Sequence, residues 1–326
     1  MTYLLVGRRN PLTLLFLALI LMPLVSSQFG YEDVELFFSD RGVVNVSRGG
    51  FNVGTGSITT WGPNWVWEDA CSSPSSWNII GGPLATETLF EVECYSKCSF
   101  ASIAWRIKAW AGLNAMLIEI NATADDDSSF AGLAWDYEVP VALYRGKTVY
   151  ALFPNGSTVK IALREEHVPG NWSLYYSSGG VGWIVPFEDG GGIVVAVFGD
   201  LWPSGMDLEV QDLREWSGNT YTLRNWFFYS IDMTAGQRLR VLVYLYPYSN
   251  NETLAQAKAS IVGVMQRFSI GESLSTIKAD LIRALKLEEA AAERRSAGPP
   301  PFMVVYVVVV AIVGVVISYA LLKRRR

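Results

Sequence analysis

The sequence predicts a mainly β protein: an antiparallel β-sandwich ectodomain, then a short helical neck and one transmembrane helix. Three observations carry this. Between Tyr31 and Tyr248, short runs rich in β-branched and aromatic residues are punctuated by turn signals. After Tyr248, two segments place apolar residues at helical spacing. Near the C-terminus, Phe302 to Leu322 is a stretch of 21 residues without a charge, followed at once by Lys323 and three arginines. The boundaries expected are a signal peptide at 1–27, the sandwich at 28–250, the neck at 251–296, a linker at 297–301, the membrane span at 302–322 and a cytoplasmic tail at 323–326.

Each element has a physical reason. Arg8 and Arg9 precede an apolar core that ends in the small residues Val25, Ser26 and Ser27, the pattern of a cleavable secretory leader. The strand runs include "DVELFF", "TLFEVECY", "FASIAWRIKAW", "NAMLIEINA", "KTVYALF", "GIVVAVFG", "YTLRNWFFYSIDM" and "RLRVLVYLYPY". In the last, Leu239, Val241, Val243 and Leu245 alternate with Arg238, Arg240 and Leu242, so one face is apolar. "PNGS", "EDGGG" and "TAGQ" supply turns. Capping boxes are expected at Ser249 with Glu252 and at Ser269 with Glu272. Leu254, Ala257, Ile261, Val264 and Phe268 form one stripe, and Leu274, Ile277, Leu281, Ala284 and Ala291 another. Such stripes suit an oligomeric stalk, with a homo-oligomer formed through the neck, or helices packed on the sandwich. "SAGPPP" reads as a stiff spacer. The span reaches about 31 Å at 1.5 Å per residue, enough to cross a hydrocarbon core.

Together the ends predict a single-pass protein of the cell membrane, with its N-terminal domain extracellular and its basic tail inside. Composition narrows the partners. The 31 acidic residues all lie between the two ends, so the body is more acidic than the formal net charge of −5. That disfavours nucleic acid. Five N-x-S/T sequons, at Asn45, Asn121, Asn155, Asn171 and Asn251, fit a glycoprotein. The three cysteines, Cys71, Cys94 and Cys98, are disulfide candidates whose pairing stays open, with Cys71 favoured as one partner.

Four of the 12 tryptophans fall between residues 59 and 77. Trp65 and Trp67 share a face if that stretch is a strand, while Trp61 and Trp77 lie in Gly/Pro/Ser-rich segments. Indole faces stack on the C–H faces of sugars, and Glu68 and Asp69 could accept hydroxyl hydrogen bonds, so these six residues are the candidate ligand contacts. The alternative is that the indoles cap the core. Asp125 and Asp127, within a run of three aspartates, are candidate calcium ligands, with a solvated turn as the other reading. No cofactor signature is present otherwise. Glu165, Glu166 and Asp189 are the acids that catalysis would draw on, but neighbours on a strand point to opposite faces, and no nucleophile, phosphate or zinc motif occurs.

The succession "ALYRGKTVYALFPNG", "GGVGWIVPFEDGGGIVVAVFGD" and "NWFFYSIDMTAGQRLRVLVYLYP" resembles the strand pattern of galactose mutarotase-like supersandwich domains, over about residues 85 to 248. The resemblance implies a carbohydrate-associated module. Members of that family use a His with a Glu in the cleft, and His167 is this chain's one histidine. The overall layout also resembles that of archaeal surface-layer stalk proteins. The function expected from all this is non-catalytic: a membrane-anchored surface, adhesion or scaffold glycoprotein whose sandwich binds glycans or neighbouring cell-envelope protein. The alternative is a membrane-tethered carbohydrate-active enzyme of glycosidase, lyase or epimerase type.

Overall fold

The computed structural model describes residues 28–31, 34–39, 42–66, 76–81, 89–97, 99–111, 115–188 and 190–296. Two antiparallel sheets form the body. One has eight strands in the order β1 (Gln28–Tyr31), β2 (Val34–Phe38), β3 (Val44–Arg48), β4 (Phe51–Trp61), β9 (Ser128–Pro140), β16 (Thr220–Met233), β15 (Met206–Asp212) and β12 (Ser173–Gly180). The other has nine, in the order β11 (Thr158–Ala162), β10 (Thr148–Leu152), β13 (Gly182–Pro186), β14 (Gly192–Gly199), β17 (Arg238–Tyr248), β8 (Met116–Ala124), β7 (Ser102–Ala111), β6 (Leu89–Lys97) and β5 (Ser76–Gly81). The sandwich expected from the sequence is therefore present.

Between the sheets, Trp135, Tyr137, Val210 and Leu223 meet Trp183, Val195, Ile118 and Val243 in one buried core. Glycine makes room for the largest of them. A Cβ on Gly54 would stand 2.1 Å from the Tyr137 hydroxyl, and one on Gly56 would stand 2.5 Å from Cζ2 of Trp135. β4 can lie against these rings only because both positions lack a side chain.

The middle of the nine-stranded sheet is buried on both faces. Leu117, Val194, Ala196, Phe198, Leu242 and Tyr244 point away from the sandwich core into a second one, closed by helices α2 (Asn251–Ser269) and α3 (Leu274–Ser296). That double burial is why β8, β14 and β17 read as nearly continuous apolar runs. A single turn, α1 (Val141–Tyr144), follows Pro140.

Here the structure corrects the expected neck. Ala257, Ile261, Val264, Met265 and Phe268 of α2, with Leu274, Ile277, Leu281 and Leu285 of α3, are all buried in this second core. The rings of Phe198 and Phe268 are 6.4 Å apart. Burying each large side chain is worth about 1.5–3 kcal/mol. As far as Leu285, their apolar residues are thus taken up by the sheet, which is the packed arrangement of the two expected rather than the oligomeric stalk. Polar ties reinforce the seam: Lys278 Nζ donates to Glu119 at 2.8 and 2.9 Å, and Arg240 reaches both Glu119 at 2.8 Å and Ser275 Oγ at 2.7 Å.

The caps also differ from expectation. Asn250, not Ser249, caps α2: its Oδ1 accepts the amides of Glu252 and Thr253, and Thr253 Oγ1 accepts the Asn250 amide in return. Glu272 is spent on Arg267, and Ser273 Oγ accepts the Thr276 amide at the start of α3.

Among the described residues no helix is long and apolar enough to cross a membrane. α2 and α3 each carry a charged outer side, including the Arg267–Glu272 and Arg267–Asp280 pairs. The expected single-pass anchor, the membrane as a partner and the cell-surface localisation therefore gain nothing from the structure and are not carried forward. The leader at 1–27 and the stretch 302–322 lie outside the described residues. The chain divides into two compact units, Met1–Leu285 and Lys286–Arg326, of which the second contributes only the end of α3 to the described residues.

Candidate functional site on the polar face of the eight-stranded sheet

Among the described residues, no helix packs on the outer face of the eight-stranded sheet. Cross-strand register arranges its side chains in rows. One row runs Ser57, Asp136, Arg224, Glu209, Tyr176 across β4, β9, β16, β15 and β12. A second row, two residues along, runs Thr55, Glu138, Thr222, Gln211, Ser173. On the other side come Thr59, Ala134, Trp226 and Asp207, and beyond them Trp61, Gly132 and Tyr229.

A bulge shapes the aromatic end. The register of β16 against β9 shifts between Trp226 and Phe228, which brings Trp226 and Tyr229 to the same face although they are three residues apart. Their rings lie 4.3 Å apart. Trp61 packs on Trp226 at 5.1 Å, and Trp65 stands edge-on to Trp226 at 5.8 Å and to Tyr229 at 6.0 Å. Trp65 sits in a 3-10 turn, Pro63–Trp65, with φ of 61°. Three indoles converge over Gly132, where a Cβ would meet Trp226 at 2.6 Å and both Trp61 and Trp65 at 3.1 Å. Trp226 is buried, whereas Trp65 is 50%, Tyr176 51% and Tyr229 38% exposed. The result is an aromatic platform open to solvent.

Beside it is a charged strip. Arg224 donates from Nε and Nη2 to the two oxygens of Asp136, at 2.6 and 2.7 Å, and from Nη1 to Gln211 at 2.7 Å. Its guanidinium lies 4.2 Å from the Trp61 ring centre and 4.7 Å from that of Trp226. Glu209 accepts from the Trp226 indole N–H and the Ser173 hydroxyl, both at 3.0 Å. Tyr176 donates to Asp207 at 2.6 Å. Glu138 is half-buried and accepts from Thr220 Oγ1 at 3.0 Å. Burial, then the Asp136 charge, raises the Glu138 carboxyl above its ordinary value, against the opposing pull of Thr220 and Arg224. Carboxylates in unlike environments on one face are the raw material of acid–base chemistry.

Of the six ligand contacts expected, Trp61 and Trp65 come together on this face. Trp77 is on β5, in the other sheet. Trp67, Glu68 and Asp69 lie outside the described residues, as do Cys71, Cys98 and Asp189. Cys94 is on β6 opposite Trp105. Glu165 and Glu166 are exposed on the segment between β11 and β12. The aspartate run forms the β8–β9 turn: Asp126 accepts the Ser102 amide and Asp127 the Ala235 amide, so two carboxylates are spent on separate segments, β7 and the β16–β17 turn. Among the described residues no group of three or more His, Cys, Asp or Glu could share a metal ion. Asn155, Asn171 and Asn251 are exposed, Asn45 is on β3, and Asn121 on β8 lines a groove of about 1060 Å³ with Arg106, Arg238 and Arg240.

His167 is elsewhere. Nε2 lies 3.3 Å from Glu215 and Nδ1 3.7 Å from Asp212, on the strap from β11 to β12. Arg214 pins that strap: it forks onto Asp212 and donates to the carbonyls of Arg164 and Glu165. Burial pushes the Asp212 carboxyl up, but hydrogen bonds and charge from Arg214, with His167 behind them, hold it below its ordinary value.

Asp136, Glu138, Asp207, Glu209, Gln211 and Arg224 were not singled out from the sequence. A signal was present: polar residues recur at every second position in otherwise apolar strands, Asp136 and Glu138 in β9, Asp207, Glu209 and Gln211 in β15.

No protein-family model matches the chain, and no curated protein does. Solved structures of similar fold exist. A provisionally assigned aldose 1-epimerase of Escherichia coli K12 has a TM-score of 0.47 at 11% identity, over 68% of this chain and 98% of its own. A galactose mutarotase-like protein of Lactobacillus casei has 0.45 at 7%, over 68% and 100%. An α-N-acetylgalactosaminidase of Bifidobacterium bifidum has 0.46 at 13%, over 73% and 38%. The fold is thus similar, at low identity, to the galactose mutarotase and aldose 1-epimerase type of β-sandwich. At these identities the likeness concerns the fold alone. The expectation of a membrane-anchored binder is corrected on its anchor: among the described residues no helix is long and apolar enough to cross a membrane.

Proposed function

We propose that this protein is a carbohydrate-active enzyme whose polar sheet face binds a saccharide and performs acid–base chemistry at an anomeric centre. The observation that supports this is that the open rings of Trp65, Tyr176 and Tyr229 share one sheet face with Asp136, Glu138, Glu209 and Arg224. Aromatic faces supply apolar contact for sugar C–H groups, and the flanking polar groups orient hydroxyls.

Roles follow from environment. Glu138 holds its proton above the ordinary glutamate range and is the proton donor to the exocyclic oxygen of the anomeric carbon. Glu209, fixed by Trp226 and Ser173, is the acceptor for the proton of the attacking water, while the leaving oxygen departs with the Glu138 proton. With β16 between their strands and their positions in adjacent rows, their Cα atoms are about 12 Å apart by strand spacing and rise, room for a sugar ring between two glutamates. Asp136 and Arg224 neutralise each other and act as the rigid floor.

The test follows reducing-end release and anomer exchange by NMR on a panel of oligosaccharides, with tryptophan fluorescence reporting binding. Turnover that falls about 100-fold or more in Glu138→Gln, with binding retained, is the expected result. Trp65→Ala is expected to weaken binding. Absence of turnover across the panel, or full activity in Glu138→Gln, overturns the reading.

A further inference from the structure

The charge on this face selects among saccharides. β4, β9, β16, β15 and β12 together contain one basic residue, Arg224. Its donors are committed to Asp136 and Gln211, its flat faces are covered by Trp61 and Trp226, and it is buried. Nothing cationic on the strip is left for a ligand carboxylate or sulfate. Four acids share the face, Asp136, Glu138, Asp207 and Glu209, and Arg224 neutralises one of them.

A further feature points to a ligand. At the solvent end, Asp207 uses Oδ2 to accept from Tyr176, and the half-exposed Tyr176 and Tyr229 rings stand 6.3 Å apart beside it. A carboxylate next to aromatic faces attracts an ammonium twice, by its charge and by the ring quadrupoles.

We propose that the saccharide taken by this face is an amino sugar, its ammonium held at Asp207 beside the exposed rings of Tyr176 and Tyr229, with the Glu209 charge behind. This rests on the reading of the face as a saccharide site and adds the substrate class. An N-acetylated sugar loses the charge, and a uronate meets the carboxylates of Asp207 and Glu209 with no uncommitted cation beside them.

The experiment titrates the full chain with tetramers of glucosamine, N-acetylglucosamine and galacturonate, followed by tryptophan fluorescence at physiological salt. The glucosamine tetramer is expected to bind about tenfold or more tighter than the acetylated one, with the uronate weakest. Asp207→Asn is expected to erase most of that advantage. Equal or tighter binding of the acetylated or uronate tetramer overturns the proposal. So does an advantage that survives in Asp207→Asn, since that marks general attraction of a polycation to an acidic surface. No binding of any tetramer overturns the saccharide reading itself, and this inference with it.

Discussion

Arg224 and Asp136 form a two-pronged ion pair, 2.6 and 2.7 Å, on the outward face of a sheet, yet both side chains are almost wholly buried. Trp61 and Trp226 supply the cover. A buried pair of this kind contributes little net stability as a unit, but losing one partner leaves a charge with nowhere to go. Asp136→Ala is therefore expected to cost about 3–5 kcal/mol in urea unfolding, while Asp136→Leu combined with Arg224→Met costs much less. Equal losses in both variants would refute this account of the pair.

Glu138 sets a pH dependence of the opposite sign from a salt-bridged acid. Its folded-state value is raised by burial and by Asp136, above the ordinary 4.5. The stability it contributes is therefore complete below that ordinary value and is lost as pH rises through the raised one. Glu138→Gln is expected to gain on the wild type as pH climbs above 4.5, measured as the difference in denaturant midpoint. A flat difference across that range would contradict the shift.

How the sheet face escaped notice in the sequence is a matter of separation and ambiguity. Asp136, Glu209 and Arg224 come from three strands far apart in the chain, and each alone fits the solvent side of an ordinary antiparallel strand. Register alone makes them a cluster. Trp61 and Trp65 were legible as candidates because indoles in a Gly- and Pro-rich stretch have no obvious core to fill, but their true partners, Trp226 and Tyr229, are more than 150 residues on. The bulge that aligns those two leaves no mark in "NWFFYS". By contrast, β17 was readable because Val241 and Val243 alternate with Arg240, whose charge had to avoid the inter-sheet core.

The helices teach the complementary lesson. An apolar stripe at 3-4 spacing fits a coiled coil, a bundle or a sheet equally well, so α2 and α3 were legible as amphipathic and their partner was not. Ile261 now has a definite place, fully buried against the nine-stranded sheet's second core. Ile261→Ala is expected to lower the stability of the whole sandwich by about 2–5 kcal/mol in a single transition. A sandwich that melts as in the wild type, with only helical signal lost, would mean the layer is detached in solution.

The aromatic platform depends on a missing side chain. Gly132 has an ordinary negative φ, so alanine there meets no backbone strain, only the rings of Trp226, Trp61 and Trp65. Trp226 at 2.6 Å cannot stay, and it cannot simply rotate away, because its indole N–H holds Glu209 and its face covers Arg224. Gly132→Ala is thus expected to cost about 1–3 kcal/mol as overpacking does. It should also change near-ultraviolet circular dichroism and weaken saccharide binding in step, with far-ultraviolet signal intact. Gly146→Ala, at a turn with nothing within 4 Å and φ of +72°, is the contrast: it strains the backbone but touches no ring, so binding should persist. If the two variants lose binding equally, the platform is not what the ligand rests on.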